Sequence, residues 1–75
     1  MINSLFAERV AKLRTENNMT LETFGELIGL TKSSVGNIEK MRKPASLDVV
    51  YKIAEQFNVS IDYLLGRTDN PEINK

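Results

Sequence analysis

Apolar residues recur along this chain at the three- and four-residue spacing of helices, and no stretch alternates with period two for long. Five such segments follow one another, and each gathers its apolar side chains on one helical face. Their apolar positions are Phe6, Val10 and Leu13; Phe24, Leu27 and Ile28; Val35 and Ile38; Leu47, Val50, Ile53, Ala54 and Phe57; and Ile61, Leu64 and Leu65. The pattern therefore predicts an all-α fold.

Polar residues and glycines between these segments predict where the helices begin and end. A side-chain oxygen just before a helix accepts a hydrogen bond from an unpaired amide of the first turn. The residues placed for this role are Asn3 or Ser4, Thr20, Thr31, Ser46 and Ser60. Gly29 and Gly66 are placed to end the second and fifth helices, and Pro44 interrupts the chain before the fourth.

The C-terminal segment RTDNPEINK differs from the rest, because it is polar, contains Pro71 and has no periodicity. We expect it to be frayed or to begin a linker. A chain of 75 residues otherwise suits a single small domain. We therefore divide the sequence into one domain over residues 1–67 and a polar tail, or the start of a linker, over residues 68–75.

The composition excludes several kinds of function. The chain has no Cys and no His, so it lacks thiolate metal ligands, disulfides and the commonest general base. It also has no nucleophile–base pair, metal-ligand cluster or phosphate-binding glycine loop, and we expect no enzyme, metal or cofactor. No segment is long and apolar enough to span a membrane, and the N-terminal residues do not resemble a signal peptide, so we expect a cytoplasmic protein.

The charges are balanced overall but not along the chain. Ten basic and ten acidic residues give a net charge of zero, unlike most nucleic-acid-binding domains. Between residues 32 and 43, however, the charged residues are Lys32, Lys40, Arg42 and Lys43 against Glu39 alone. This basic segment suits a DNA contact, although an ordinary solvated loop explains the charges equally well.

The segment TFGELIGLTKSSVGNIEK begins as a helix, stops at Gly29 and begins again, as a helix-turn-helix does. Gly25 allows the two helices to approach closely, and Gly29 provides a backbone angle that other residues reach only at a cost. Counted from Leu21, the positions that such a motif needs apolar or small are filled by Phe24, Gly25, Ile28, Gly29, Leu30, Val35 and Ile38. A plain helical hairpin would explain this packing, but not the outer face of its second helix.

That second helix of the motif, the third of the chain, buries Val35 and Ile38 in this interpretation. Its opposite side then carries short polar and basic residues, namely Lys32, Ser33, Gly36, Asn37 and Lys40. Such a face suits the DNA major groove, where Lys reads guanine acceptors and Asn pairs bidentately with adenine. A solvated helix face is the alternative.

From about Phe6 to Gly66, the chain resembles the Cro/repressor-type (XRE) helix-turn-helix family of bacteria and phages. The similarity includes MTLETFGELIGLTKSSVGNIEK, the proline after the basic loop, SLDVVYKIAEQFNVS and IDYLLG. The resemblance implies a compact five-helix, lambda repressor-like domain whose third helix enters the major groove. It also implies dimers that bind paired half-sites on double-stranded DNA.

The resemblance assigns roles to individual residues. Those placed to read bases are Thr31, Lys32, Ser33 and Asn37. Those placed to hold phosphates are Thr20, Ser34, Lys40, Arg42 and Lys43, and Ser34 is also near enough for a base edge. Arg14 and Glu39 match a charged pair that ties the first helix to the third, and a phosphate contact is the alternative for Arg14.

One position departs from the family pattern. The family usually has Gln at the first place of the second helix, where it touches a phosphate, and this chain has Leu21. The amides after Thr20 still suit a phosphate, but Glu22 beside them repels one. Leu21 is left with three alternatives: packing on Leu27, simple exposure, or contact with a partner.

We interpret the protein as a sequence-specific DNA-binding transcriptional regulator, and as a repressor that binds DNA as a homodimer. Because one domain carries few cations, two copies on sites one helical turn apart would add their contacts. Tyr63 is the predicted dimer contact, whereas Ile61 and Leu64 are assigned to the core. The alternative is a protein-interaction module, such as an antitoxin-like or antirepressor partner, in which the same fold has weak or lost DNA binding.

Overall fold

The computed structural model describes residues 4–73 and forms five helices there, joined by short loops. The helices are α1 (Ser4–Glu16), α2 (Leu21–Ile28), α3 (Lys32–Glu39), α4 (Leu47–Phe57) and α5 (Ile61–Leu64). No strand occurs in this part of the chain, and none of its helices is long and apolar enough to cross a membrane. The prediction of an all-α, five-helix fold is confirmed, while Asn3, a predicted cap of α1, lies outside the described residues.

Four of the helices begin at hydroxyl-bearing residues that the sequence predicts as caps. The caps are the side chains of Thr20, Thr31, Ser46 and Ser60, and each accepts a hydrogen bond from the amide three positions later. A cap of this kind contributes about 1 kcal/mol. In a small domain with a modest core, four such caps supply a considerable part of the stability.

The core is formed by apolar side chains from all five helices. The largest fully buried ones are Phe6, Val10, Phe24, Ile28, Val35, Val50, Ile53 and Leu64. Phe24 and Phe57 stack with ring centroids 5.4 Å apart, which joins α2 to α4. The predicted placement of Leu47 on the inner face of α4 is wrong: it is exposed at the first position of the helix, and Val49 faces the core instead.

The turn between α2 and α3 depends on two glycines. Gly29 ends α2 with a φ of +76°, in the left-handed region, and its amide donates to the Gly25 carbonyl. Gly25 is buried, and a Cβ there would overlap the carbonyl oxygen of Leu30. The close approach predicted at Gly25 is therefore present, and it fixes the start of α3 against α2.

The segment after α5 is tied to the domain, contrary to the expectation of a frayed tail. The Ser60 amide donates to the Pro71 carbonyl over 2.8 Å, and Arg9 of α1 donates to the Thr68 carbonyl over 2.8 Å. Both bonds end on backbone carbonyls, which no pattern of side chains reveals. The division of the chain at residue 67 stays a prediction.

Candidate nucleic-acid interface

The outer face of α3 is the surface that the sequence predicts to contact DNA, and it consists of Lys32, Ser33, Gly36, Asn37 and Lys40. Val35 and Ile38 are buried beneath it, as predicted. Lys32, Ser33 and Lys40 are exposed, and Asn37 is half-buried. The Asn37 side chain forms no hydrogen bond with any residue of the described range, so its amide is available to a base edge.

Thr31 and Ser34 share one hydrogen-bonded unit at the start of α3. The Thr31 hydroxyl accepts from the Ser34 amide over 3.1 Å and donates to the Ser34 hydroxyl oxygen over 3.0 Å. A hydroxyl has one donor and two acceptor sites, and the proton between the two oxygens can belong to either of them. The pair therefore keeps one proton that it can donate to a phosphate or a base edge.

Thr20 is engaged in the same way at the start of α2. Its hydroxyl accepts from the Thr23 amide over 3.1 Å and donates to the Thr23 hydroxyl oxygen over 3.0 Å. A phosphate oxygen needs a donor, and the two paired hydroxyls together keep one proton to donate, so the phosphate contact predicted at Thr20 stays a prediction. The exposed hydroxyl of Thr23, which sequence reasoning missed, shares that proton.

The loop after α3 carries the predicted phosphate contacts Lys40, Arg42 and Lys43. The amides of Arg42 and Lys43 donate to the Asn37 carbonyl over 2.8 and 3.4 Å, and Met41 takes a left-handed φ of 60°. This winds the loop back over the end of the helix. All three cationic side chains are exposed and form no ion pair within residues 4–73, so their charges face solvent beside the outer face of α3.

Arg14 and Glu39 form the ion pair that links α1 to α3. Arg14 Nε and the Glu39 carboxylate lie 2.7 Å apart, a second bond from Nη2 measures 3.0 Å, and Nη1 donates to the Met19 carbonyl over 3.0 Å. The hydrogen bond to Glu39 raises the pKa of Arg14 above its ordinary value, although burial opposes the shift. Because the only acid of the basic segment is paired inward, it does not weaken the positive field of that segment.

Leu21, which stands where the family usually has Gln, packs toward α3. It is half-buried against the core, and its Cδ1 atom lies 3.7 Å from the place where a Cβ on Gly36 would stand. Packing on the protein therefore explains Leu21 better than simple exposure. Glu22 beside it is exposed in the first turn of α2, where it opposes an approaching phosphate.

Arg9 is the residue that sequence reasoning missed most clearly. It is buried, and its guanidinium lies over the Tyr63 ring, 4.1 Å from the centroid, while it donates to the Tyr63 carbonyl. Tyr63 itself is only 9% exposed. The ring packs in the core and against Arg9, and the dimer contact at Tyr63 stays a prediction. Leu64 is fully buried, as predicted.

The chain belongs to the helix-turn-helix family, whose family model matches residues 10–64. It is 38% identical over 68 residues to YobD, an uncharacterised HTH-type transcriptional regulator of Bacillus subtilis, covering 91% of this chain and 61% of that protein. It is also 30% identical over 66 residues to the control protein C.SmaI of Serratia marcescens, covering 88% and 79%. The chain thus spans about three fifths of the length of YobD.

The fold is that of a repressor protein of known structure. The P22 c2 repressor protein, solved in complex with a synthetic operator, matches with a TM-score of 0.76 at 20% identity, over 81% of this chain and 92% of that chain. The predicted lambda repressor-like fold and the resemblance to the Cro/repressor type are therefore confirmed. The roles of single residues at the DNA stay predictions.

Proposed function

We propose that this protein is a sequence-specific DNA-binding regulator of transcription, acting as a repressor on paired half-sites. The observation that carries the proposal is the orientation of α3: Val35 and Ile38 are held inward, and a polar, basic face is left open to solvent. The relatives named as transcriptional regulator and control protein support the same conclusion. A regulator that reads bacterial or phage DNA works in the cytoplasm, and this function requires no catalysis and no cofactor.

The geometry divides the interface into two kinds of contact. Lys32, Ser33 and Asn37 project from α3, where they would read base edges in the major groove. The cations of the following loop and the Ser34 hydroxyl lie beside that face, where they would hold phosphates and fix the register. Affinity would then depend on the loop, and sequence preference on the helix.

A homodimer follows from the small number of cations in each domain. Two copies on half-sites one helical turn apart would add their phosphate contacts. Since the Tyr63 ring is only 9% exposed, we propose exposed apolar side chains elsewhere as further candidates for the dimer contact. Tyr51 of α4 and Ile73 are exposed and line the same shallow cleft, on elements that do not contribute to the outer face of α3.

The test separates base reading from phosphate binding. Operators are first selected from a random duplex pool, and gel-shift titrations are then run at several salt concentrations. Asn37→Ala should lose roughly tenfold of its preference for the selected operator over random DNA. Lys43→Ala should weaken binding to both duplexes and reduce the salt slope by about one. The Asn37 carbonyl, which holds the loop, is unchanged in Asn37→Ala.

Lys52→Ala is a matched control for the loss of one positive charge, because Lys52 lies on α4 and pairs with Asp48 at 3.3 Å. It should bind like the wild type. If Asn37→Ala and Lys43→Ala reduce binding to specific and random duplexes by the same factor, the division of roles is wrong. If the wild-type protein is not retained on duplex DNA at low salt, the protein-interaction module is the correct function.

A further inference from the structure

Gly36 lies in the middle of the outer face of α3, and the fold does not explain why it is a glycine. A Cβ at Gly25 would overlap a backbone carbonyl, and Gly29 has a positive φ that favours glycine, so the fold explains both of those glycines. At Gly36 a Cβ would meet only Leu21 Cδ1 at 3.7 Å, which is ordinary van der Waals contact. A glycine inside a helix costs roughly 0.5–1 kcal/mol relative to alanine. The packing of the domain therefore does not account for this glycine.

The space above Gly36 is a small apolar notch on a polar face. Leu21 provides one wall, because its Cδ1 methyl is the nearest atom to the missing Cβ. Lys32 and Lys40 stand one helical turn to either side, and Asn37 follows directly. A group that enters this notch contacts a methyl group and the helix backbone. Groups on either side of it contact hydrogen-bonding side chains.

We propose that the notch between Leu21 and Gly36 receives the 5-methyl group of a thymine in the major groove. This inference rests on the proposed function, because it names a base that the outer face of α3 would select. The thymine methyl is the one apolar group that the major groove displays, and apolar side chains are its usual partners. Leu21 has no donor for a phosphate, and Glu22 repels one, so the backbone of DNA is a poor occupant of this position.

The experiment compares thymine with uracil, which differs only by that methyl group. Operators selected from a random duplex pool are remade with uracil in place of each thymine in turn. For the wild type, one position in each half-site should lose roughly fourfold in affinity on this change, the effect expected for burying one methyl-sized group. Leu21→Ala should bind the thymine and uracil duplexes equally well at that position.

Two further variants test whether the notch itself is responsible for the preference for thymine. Leu27→Ala removes another leucine of α2, an exposed one away from the notch, and it should discriminate like the wild type. Gly36→Ala fits the fold without overlap, and its Cβ would fill the notch, so its affinity for the thymine operator should fall to that for the uracil operator. Circular dichroism shows that each variant is folded.

The outcomes distinguish this inference from the proposed function. If Leu21→Ala still prefers thymine at the sensitive position, or if the wild type tolerates uracil everywhere, the notch does not read thymine although the protein binds DNA. If the wild type binds no duplex at all, the proposed function fails, and the inference fails with it.

Discussion

Helix α1 carries two largely buried arginines that contact different parts of the domain. Arg14 faces the helix-turn-helix, where it binds Glu39 at the end of α3 and the carbonyl of Met19. Arg9 faces the C-terminal side, where it binds the carbonyls of Tyr63 and Thr68 and the carboxylate of Asp69. Both side chains are mostly hidden from water, at 19% and 10% exposed.

The two sites differ in which of their partners is shielded from water. The Glu39 side chain is 11% exposed, so the carboxylate is the shielded partner of Arg14, and their attraction is only partly screened. Asp69 is 100% exposed, and its attraction to Arg9 is strongly screened. Arg9 is instead stabilised by carbonyls and by the Tyr63 ring. A short ion-pair distance of 2.8 Å therefore says little about energy until the exposure of each partner is known.

The largest effect is expected from removing Arg9. Arg9→Ala leaves the Tyr63 carbonyl without its buried charged donor and releases the segment after α5. Loss of a charge-assisted bond to a buried acceptor, together with the lost contact on the ring, should lower the free energy of unfolding by about 3 kcal/mol. For a domain of this size the thermal midpoint should fall on the order of 10–20 °C. Thermal and urea unfolding measure both quantities.

Lys12→Ala provides the control for Arg9→Ala. Lys12 is exposed on the same helix, and its side chain forms no bond within residues 4–73. The control should unfold like the wild type. If Arg9→Ala and Lys12→Ala give the same midpoint, the Arg9 contacts contribute nothing to stability, and the comparison between the two arginines fails.

The second-largest effect on stability is expected at the Arg14–Glu39 ion pair. Glu39→Ala leaves Arg14 with the Met19 carbonyl alone, and it should destabilise the domain by about 2 kcal/mol, less than for a fully buried pair because both partners retain some solvent. A double-mutant cycle with Arg14→Ala isolates the interaction, since the double variant should lose less than the sum of the single variants. Strict additivity would show that the pair is not coupled.

Arg14 should keep its positive charge at every pH at which unfolding is normally measured. The folded-state pKa of Arg14 is raised, principally by the hydrogen bond to Glu39. A raised pKa of a base gives stability that is complete below the unfolded pKa and is lost only as the pH rises through the folded value. For an arginine that loss lies beyond the pH at which unfolding is normally measured.

The two arginines also differ in how far the sequence predicts their contacts. Local sequence patterns predict the helix caps, the burial of Val35 and Ile38, and the turn at Gly25 and Gly29. Each of these depends on residues within one turn or one helix. The Arg14–Glu39 contact, 25 residues apart, was accessible only through the family resemblance. The contacts of Arg9 could not be predicted from the sequence, since its partners lie 54 to 60 residues away and two of them are backbone carbonyls. The predicted burial of Leu47 was wrong for a different reason. Leu47 fits the apolar spacing of α4, but it is the first residue of that helix and lies exposed there.

A third, smaller effect is expected at Tyr63. Tyr63→Leu keeps the carbonyl that Arg9 binds but removes the ring beneath the guanidinium, 4.1 Å from its centroid. The loss of this cation–π contact should cost about 1 kcal/mol in the free energy of unfolding, measured by urea denaturation. Sedimentation of the same variant tests the predicted dimer contact at Tyr63. A folded Tyr63→Leu protein with unchanged stability and weaker self-association would support that contact and contradict the cation–π contribution.

The smallest effect is expected from Asp69, and it is the sharpest test of the comparison. Asp69→Asn removes the charge that lies 2.8 Å from Arg9 but keeps an oxygen in the same place. Because that carboxylate is fully exposed while the carbonyls of Tyr63 and Thr68 remain bound, the unfolding midpoint should not change measurably. The matched change Glu39→Gln, at the shielded pair, should lower the midpoint clearly in the same thermal scans. If Asp69→Asn destabilises as much as Glu39→Gln, solvent exposure is not what separates the two arginines, and the Arg9 site depends on its charge partner after all.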